Sequence, residues 1–167
     1  MVTKSAVYAR IEQLRPELER IAGEIYDNPE CKYEEFKAAE LLCREAKHQG
    51  FTVEHPLAGL GTAFRGKLSG KTAGPGVAFL AEYDALPVIG HACGHHLIAA
   101  AAVGAAGGLA GFMDVLPGRL EIIGTPAEEG GGGKVALVKA GVFDGLDAAL
   151  MFHPSGKNIL KRGSLAR

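Results

Sequence analysis

Polar and apolar positions change period repeatedly along this chain, and those changes mark its elements. From Tyr8 to about Asp27 the residues Ile11, Leu14, Leu18, Ile21, Ala22 and Ile25 recur at helical spacing, until Asn28-Pro29 breaks the run. A second helix is predicted from about Tyr33 to Gln49, with Phe36, Ala39, Leu42, Cys43 and Ala46 as its apolar face and Gly50 as its stop. At Phe51 the period shortens, and the stretches 51–54 and 62–68 read as strands between Gly and Pro punctuation. The second alternates apolar with polar residues, which suits an exposed or edge strand. Val77-Ala78-Phe79-Leu80-Ala81 is a continuous apolar run behind Gly74-Pro75-Gly76, the pattern of a strand buried on both faces. A helix over about His96 to Leu109 follows, then a strand over 119–124, a helix over about Lys134 to Ala140 and a strand over 148–152. There is no internal repeat.

The later alternation of strand and helix predicts an α/β fold, a three-layer sandwich whose central sheet is mostly parallel (mixed) with helices on both faces. In such sheets ligands gather beyond the carboxyl ends of the strands. Three predicted strands end in chemically capable residues: Glu82-Tyr83-Asp84 after the first, Thr125-Pro126-Ala127-Glu128-Glu129 after the second and His153 after the third. The helix behind the first strand is opened by Gly90-His91-Ala92-Cys93-Gly94-His95-His96, which holds half of the chain's 6 histidines. Thiolate and neutral imidazole are the side chains that hold zinc or another late transition ion. Cys93 and His95 stand two apart, so an extended or turning backbone points both the same way.

Composition narrows the function classes. The 167 residues are 47% hydrophobic, enough for one domain with a real core. A net charge of -1 with scattered Lys and Arg gives no basic stripe for nucleic acid and no polybasic segment for a membrane surface. No apolar run reaches the roughly 18 residues of a membrane span, and the N-terminus does not resemble a signal peptide. Cys31, Cys43 and Cys93 are an odd set at irregular spacing, which suits a reducing, cytoplasmic compartment. Cys43 fits a buried helix face, and Cys31 a loop.

Glu128 and Glu129 are adjacent carboxylates followed by four glycines. Like charges repel, and a metal ion gives the pair a reason: one acid binds it while the other takes a proton from water. A solvated acidic turn at a helix start accounts for the pair equally well. A phosphate cradle is disfavoured, because Lys134 is followed by Val135 where that loop needs Ser or Thr. His153, taken alone, reads as a structural residue; the sheet topology brings it to the same edge as Cys93 and Glu129. Asp84 reads as a turn former or as a carboxylate orienting an imidazole. His48 and His55 read as surface residues.

The runs Ala81-Glu82-Tyr83-Asp84-Ala85-Leu86-Pro87, Ile89-Gly90-His91-Ala92-Cys93-Gly94-His95, Gly124-Thr125-Pro126-Ala127-Glu128-Glu129-Gly130-Gly131-Gly132-Gly133-Lys134 and His153-Pro154 together resemble the amidohydrolase branch of the aminoacylase and carboxypeptidase G metallopeptidases. The resemblance implies that Cys93, His95, Glu129 and His153 are metal ligands. It implies that Glu128 is the general base activating a water between two ions, and that Asp84 sits beside the metal site. It further implies a divalent cofactor (zinc, manganese or cobalt), a small-molecule amide substrate such as an N-acyl amino acid, an aminobenzoyl-glutamate-like compound or a dipeptide, and a homo-oligomer in the complete protein. His91 and His96 carry over no ligand role; His96 is assigned a supporting or helix-capping one. Members of this branch are about twice as long, with an inserted lid or dimerisation domain and a return segment bearing a further histidine ligand. The chain, ending at Gly163-Ser164-Leu165-Ala166-Arg167, is therefore expected to be the N-terminal part of the catalytic domain and an inactive fragment. Two alternatives remain: a non-catalytic metal-binding or interaction module, and a thiol enzyme with Cys93 as nucleophile.

Overall fold

The computed structural model describes residues 1–156, so the stretch at Gly163 to Arg167 lies outside the described residues. The first helix, α1 (Lys4–Asp27), begins one turn before its apolar pattern. Its start is set by a cap: Thr3 Oγ1 accepts from the Ala6 N–H at 3.2 Å, which apolar periodicity does not reveal. The second, α2 (Phe36–His48), is shorter than its pattern because the chain is still turning at Tyr33, whose φ is +63°.

Five strands form one sheet: β1 (Thr52–Glu54), β2 (Phe64–Ser69), β3 (Gly76–Ala81), β4 (Arg119–Gly124) and β5 (Ala148–Leu150), in the order β1-β2-β4-β3-β5. β3 pairs parallel with β4 and β5, whereas β1 with β2 and β2 with β4 pair antiparallel. The sheet is thus evenly mixed rather than mostly parallel. β2 is an inner strand, contrary to its edge-like pattern. Its alternation has another cause: Arg65 approaches the buried Glu121 at 3.4 Å and donates to the Val142 carbonyl, so the polar position is internally paired.

The crossover helix α3 (His95–Ala110) leads from β3 to β4, and α4 (Gly133–Lys139) leads from β4 back past β3 to β5. Right-handed crossovers running in opposite directions lie on opposite faces, which produces the three layers. One face buries Ile21, Ile25, Leu42, Val103 and Ile122 beneath the first three helices; the other buries Ala78, Ile123, Leu137 and Val142 beneath α4. α3 is apolar all round because it lies between α1 and the sheet. Its Gly104 and Gly108 let α1 approach closely: a Cβ there would meet Leu18 at 2.7 Å and Ile11 at 2.6 Å. The reversal of crossover direction at β3 and β4 opens a crevice at their carboxyl ends, where the candidate residues lie.

Candidate metal centre

His95 is the first residue of α3 and 1% exposed, so its imidazole enters the crevice from below. Its Nδ1 stands 2.9 Å from the Asp84 carbonyl and 3.0 Å from Asp84 Oδ1. With Nδ1–H donating there, the Nε2 lone pair is turned into the site. Asp84 Oδ2 in turn accepts from the Glu129 N–H at 2.9 Å, so one buried carboxylate ties the end of β3 to the acidic turn after β4. Burial alone would raise Asp84, but the bonds from His95 and the Glu129 backbone outweigh it and its carboxyl lies below the ordinary range. Burial alone would lower His95, but the Asp84 bond and the charges of Asp84 and Glu82 raise it above an ordinary histidine.

The acidic turn is held from beneath. Ala127 has φ +57°, a left-handed conformation that costs an alanine roughly 1–2 kcal/mol. Its N–H donates to Glu35 Oε1 at 2.8 Å, while Glu35 Oε2 accepts from Thr62 Oγ1 at 2.8 Å. The Tyr83 hydroxyl donates to the Thr62 carbonyl at 2.5 Å and extends this buried chain. Tyr33 donates to the Gly131 carbonyl at 2.5 Å and closes the far end of the turn. Glu128 and Glu129 therefore project from a fixed loop, 44% and 26% exposed at their side chains.

One donor atom each from Cys93, His95 and Glu129 lies within 4.8 Å of the others, and the same holds for Glu82, His95 and His153. Glu128 Oε2 stands 3.9 Å from His95 Nε2. The structure thus brings all six predicted residues, Asp84, Cys93, His95, Glu128, Glu129 and His153, to one place. His153 lies at right angles to the His95 ring, with centroids 5.9 Å apart and its Nδ1 2.8 Å from the Pro154 carbonyl. His96 packs between Tyr26, tilted at 58°, and the edge of His91.

Two atoms report that the site is built for a cation. Glu82 Oε2 and His95 Nε2 are both buried with no hydrogen-bond partner, a costly arrangement for polar atoms unless something occupies the space between them. The sulfur, nitrogen and oxygen donor set suits a late divalent ion. The surroundings of Cys93 disfavour its thiolate. The Glu129 carboxylate beside it, partial burial and the charges of Glu129, Glu128 and Asp84 push its thiol up to about 11, where a nucleophilic cysteine needs the opposite shift.

Glu82, Lys134 and Glu35 received no role from the sequence. Glu82 stands two residues before Asp84 at a strand end, so its shared parity was a usable signal. It is 2% exposed and forms an ion pair with Lys134. Glu35 had no such signal, since an acid at a helix start reads as solvated.

Residues 78–166 match the model of peptidase family M20/M25/M40. The chain belongs to this family. A curated relative, the Xaa-Arg dipeptidase of Mus musculus, is 43% identical over 162 residues, covering 89% of this chain and 37% of the relative. A p-aminobenzoyl-glutamate hydrolase chain of Escherichia coli is 37% identical over 164 residues, 86% of this chain and 34% of that protein. Among solved structures, the YXEP protein of Bacillus subtilis, described as a dinuclear metal binding peptidase of the M20 family, superposes with a TM-score of 0.76 at 25% identity. That superposition covers 83% of this chain and 42% of the other. The M20 chain thus spans little more than a third of its curated relatives. Among the described residues no helix is long and apolar enough to cross a membrane.

Proposed function

We infer that this centre binds divalent transition ions and serves the hydrolysis of amide bonds in small substrates: N-acyl amino acids, aminobenzoyl-glutamate-like compounds or dipeptides. The observation that carries the reading is the convergence of thiol, imidazole and carboxylate donors on two buried orphan atoms at the sheet's switch point. The chemistry named for the dipeptidase and glutamate hydrolase relatives supports the substrate class. Cys93, His95, Glu129 and His153 hold the cofactor, two ions of zinc, manganese or cobalt in the complete enzyme. Bound there, such ions supply Lewis acidity that makes water nucleophilic at neutral pH. Asp84 fixes the His95 tautomer through Nδ1. Glu129 is anchored by its own N–H on Asp84, leaving its carboxylate free. Glu128, the more exposed of the pair, takes the proton from the attacking water and returns it to the leaving amine. The 167 residues make up the N-terminal part of the catalytic domain, and the complete protein acts in the cytoplasm as a homo-oligomer.

The test is metal uptake and turnover measured together. The chain should take up zinc or cobalt, and in the complete enzyme Glu128→Gln should keep the metal while lowering amide hydrolysis by roughly 10²–10⁴-fold. Absence of uptake, or turnover that survives a strong chelator, overturns the reading. Uptake without turnover by this chain favours a second one, a non-catalytic metal-binding module.

A further inference from the structure

The loop between β3 and α3 holds a strained tip. Val88 has φ +73°, a left-handed conformation that is an outlier for a β-branched residue. Val88 is also fully exposed and Ile89 is 63% exposed, so the turn presents two large apolar side chains to solvent. The loop is not slack. The Leu86 N–H donates to the Gly90 carbonyl at 2.9 Å and the Gly90 N–H to the Leu86 carbonyl at 3.0 Å, closing a hairpin around Pro87, Val88 and Ile89. Its base is tied down where the Ala85 N–H donates to the Glu30 carbonyl at 2.8 Å. Strained residues of this kind persist only where their surroundings over-determine them, and they gather at ligand sites.

The segment from Pro29 to Glu35 fixes where the tip stands. Pro29 lies against Gly90, where an added Cβ would be 3.9 Å from the Pro29 ring. Cys31 bridges to Ala85 at the end of β3, whereas Tyr33 bonds Gly131 and Glu35 bonds Ala127 in the acidic turn after β4. Along this segment the order is therefore the tip loop, the end of β3 and the acidic turn. The four residue steps from Pro29 to Tyr33 span at most about 14 Å, a distance that a small amide substrate bridges. Glu128 stands on the acidic turn and returns a proton to the leaving amine, so the amine half of a substrate lies on that side and the acyl half toward the tip. Two side chains on a hairpin are too small a surface for a protein partner, which takes about 800 Å² per side. They carry no charge and no hydrogen-bonding group, so an apolar group of a small molecule is what they fit. We propose that Val88 and Ile89 form the contact for the substrate's acyl group and select aliphatic or aromatic acyl groups larger than acetyl. This rests on the amide-hydrolase reading above and deepens it.

Kinetics of the complete enzyme on the N-acetyl and N-hexanoyl forms of alanine, methionine, glutamate and arginine test this. The quantity read is the hexanoyl-to-acetyl ratio of kcat/KM for each amino acid cleaved. Wild type should favour the hexanoyl form. Val88→Gly combined with Ile89→Ser should lower the ratio roughly five- to tenfold, through KM of the hexanoyl substrate rather than through kcat. Glycine adopts this φ freely, so the pair retains the turn. Ile89→Ser alone, which leaves residue 88 untouched, should lower the ratio about threefold. Val138→Ser, at an exposed position of α4, should leave it at the wild-type value. A wild-type ratio near one, equal ratios in wild type and the tip variants, or an equal fall with Val138→Ser overturns the assignment. No hydrolysis of any member of the panel overturns the amide-hydrolase reading itself, a different result.

Discussion

Glu35 offers the sharpest test of how the acidic turn is held. Replacing it with alanine removes the acceptor for the Ala127 N–H and for the Thr62 hydroxyl, both groups being buried. Each orphaned group costs roughly 1–3 kcal/mol. The one lost methylene adds about 0.8 kcal/mol. Against this, the variant no longer buries a carboxyl, whose ionisation burial already opposes: desolvation raises Glu35 despite its hydrogen bonds. A net loss of about 2–4 kcal/mol is expected, a fall in Tm of roughly 4–16 °C for a chain of this size. Glu35→Gln keeps an acceptor for Ala127 and a polar partner for Thr62, and should cost under about 1.5 kcal/mol. Urea unfolding of the two variants beside wild type, with zinc uptake in parallel, measures both stability and the set of the turn. The sign of the pH dependence follows from the raised carboxyl. Its stabilising contribution is complete below the unfolded pKa and is lost as pH rises through the folded one, so wild type should lose ground to Glu35→Gln as the solution is made less acidic. The reasoning fails if Glu35→Ala costs less than about 1 kcal/mol, or if the glutamine variant is as damaged as the alanine one.

Gly133→Ala should be more damaging than Gly132→Ala, although Gly132 has the left-handed φ of +72°. A Cβ at Gly133 collides with the Pro126 carbonyl, whereas one at Gly132 meets nothing within 4 Å; thermal unfolding should show about 1–2 kcal/mol for the second and more for the first. Tyr83→Phe leaves the Thr62 carbonyl without its donor and should cost about 1–2 kcal/mol by urea unfolding. Because Tyr83 and Glu35 meet at Thr62, the double variant Tyr83→Phe, Glu35→Gln should depart from additivity by roughly 0.5 kcal/mol or more; strict additivity would mean that the chain of bonds is not shared.

The parts of this protein governed by periodicity were legible in its residues. The strand over Arg119–Gly124 appears with the bounds its pattern gives, and the helix behind Cys93 differs by one residue at each end. Strand ends were legible too, because parallel strands carry their following residues to one edge; this is why Asp84, Glu129 and His153 meet. Pairing direction was less legible. The alternation in Phe64–Ser69 looked like solvent on one side, yet Arg65 finds Glu121 from another strand, a contact no local pattern encodes. The same holds for Glu35, which reaches Ala127 across 92 positions of sequence. Glu82 lay between: its place two residues before Asp84 was visible, but its burial and its ion pair with Lys134 depend on where α4 begins.

The position of α3 has a consequence for the protein before any ion arrives. Its 16 residues start at His95, so the positive end of the helix dipole is directed at Glu82, Asp84, Glu128 and Glu129. Four carboxylates in one crevice would otherwise push the ends of β3 and β4 apart. The helix end and Lys134 together offset part of that repulsion, so the crevice is shaped by the fold itself. Cofactor capture then resembles filling a mould rather than folding around a nucleus, and its rate should be set by ion entry and desolvation, not by rearrangement of the backbone.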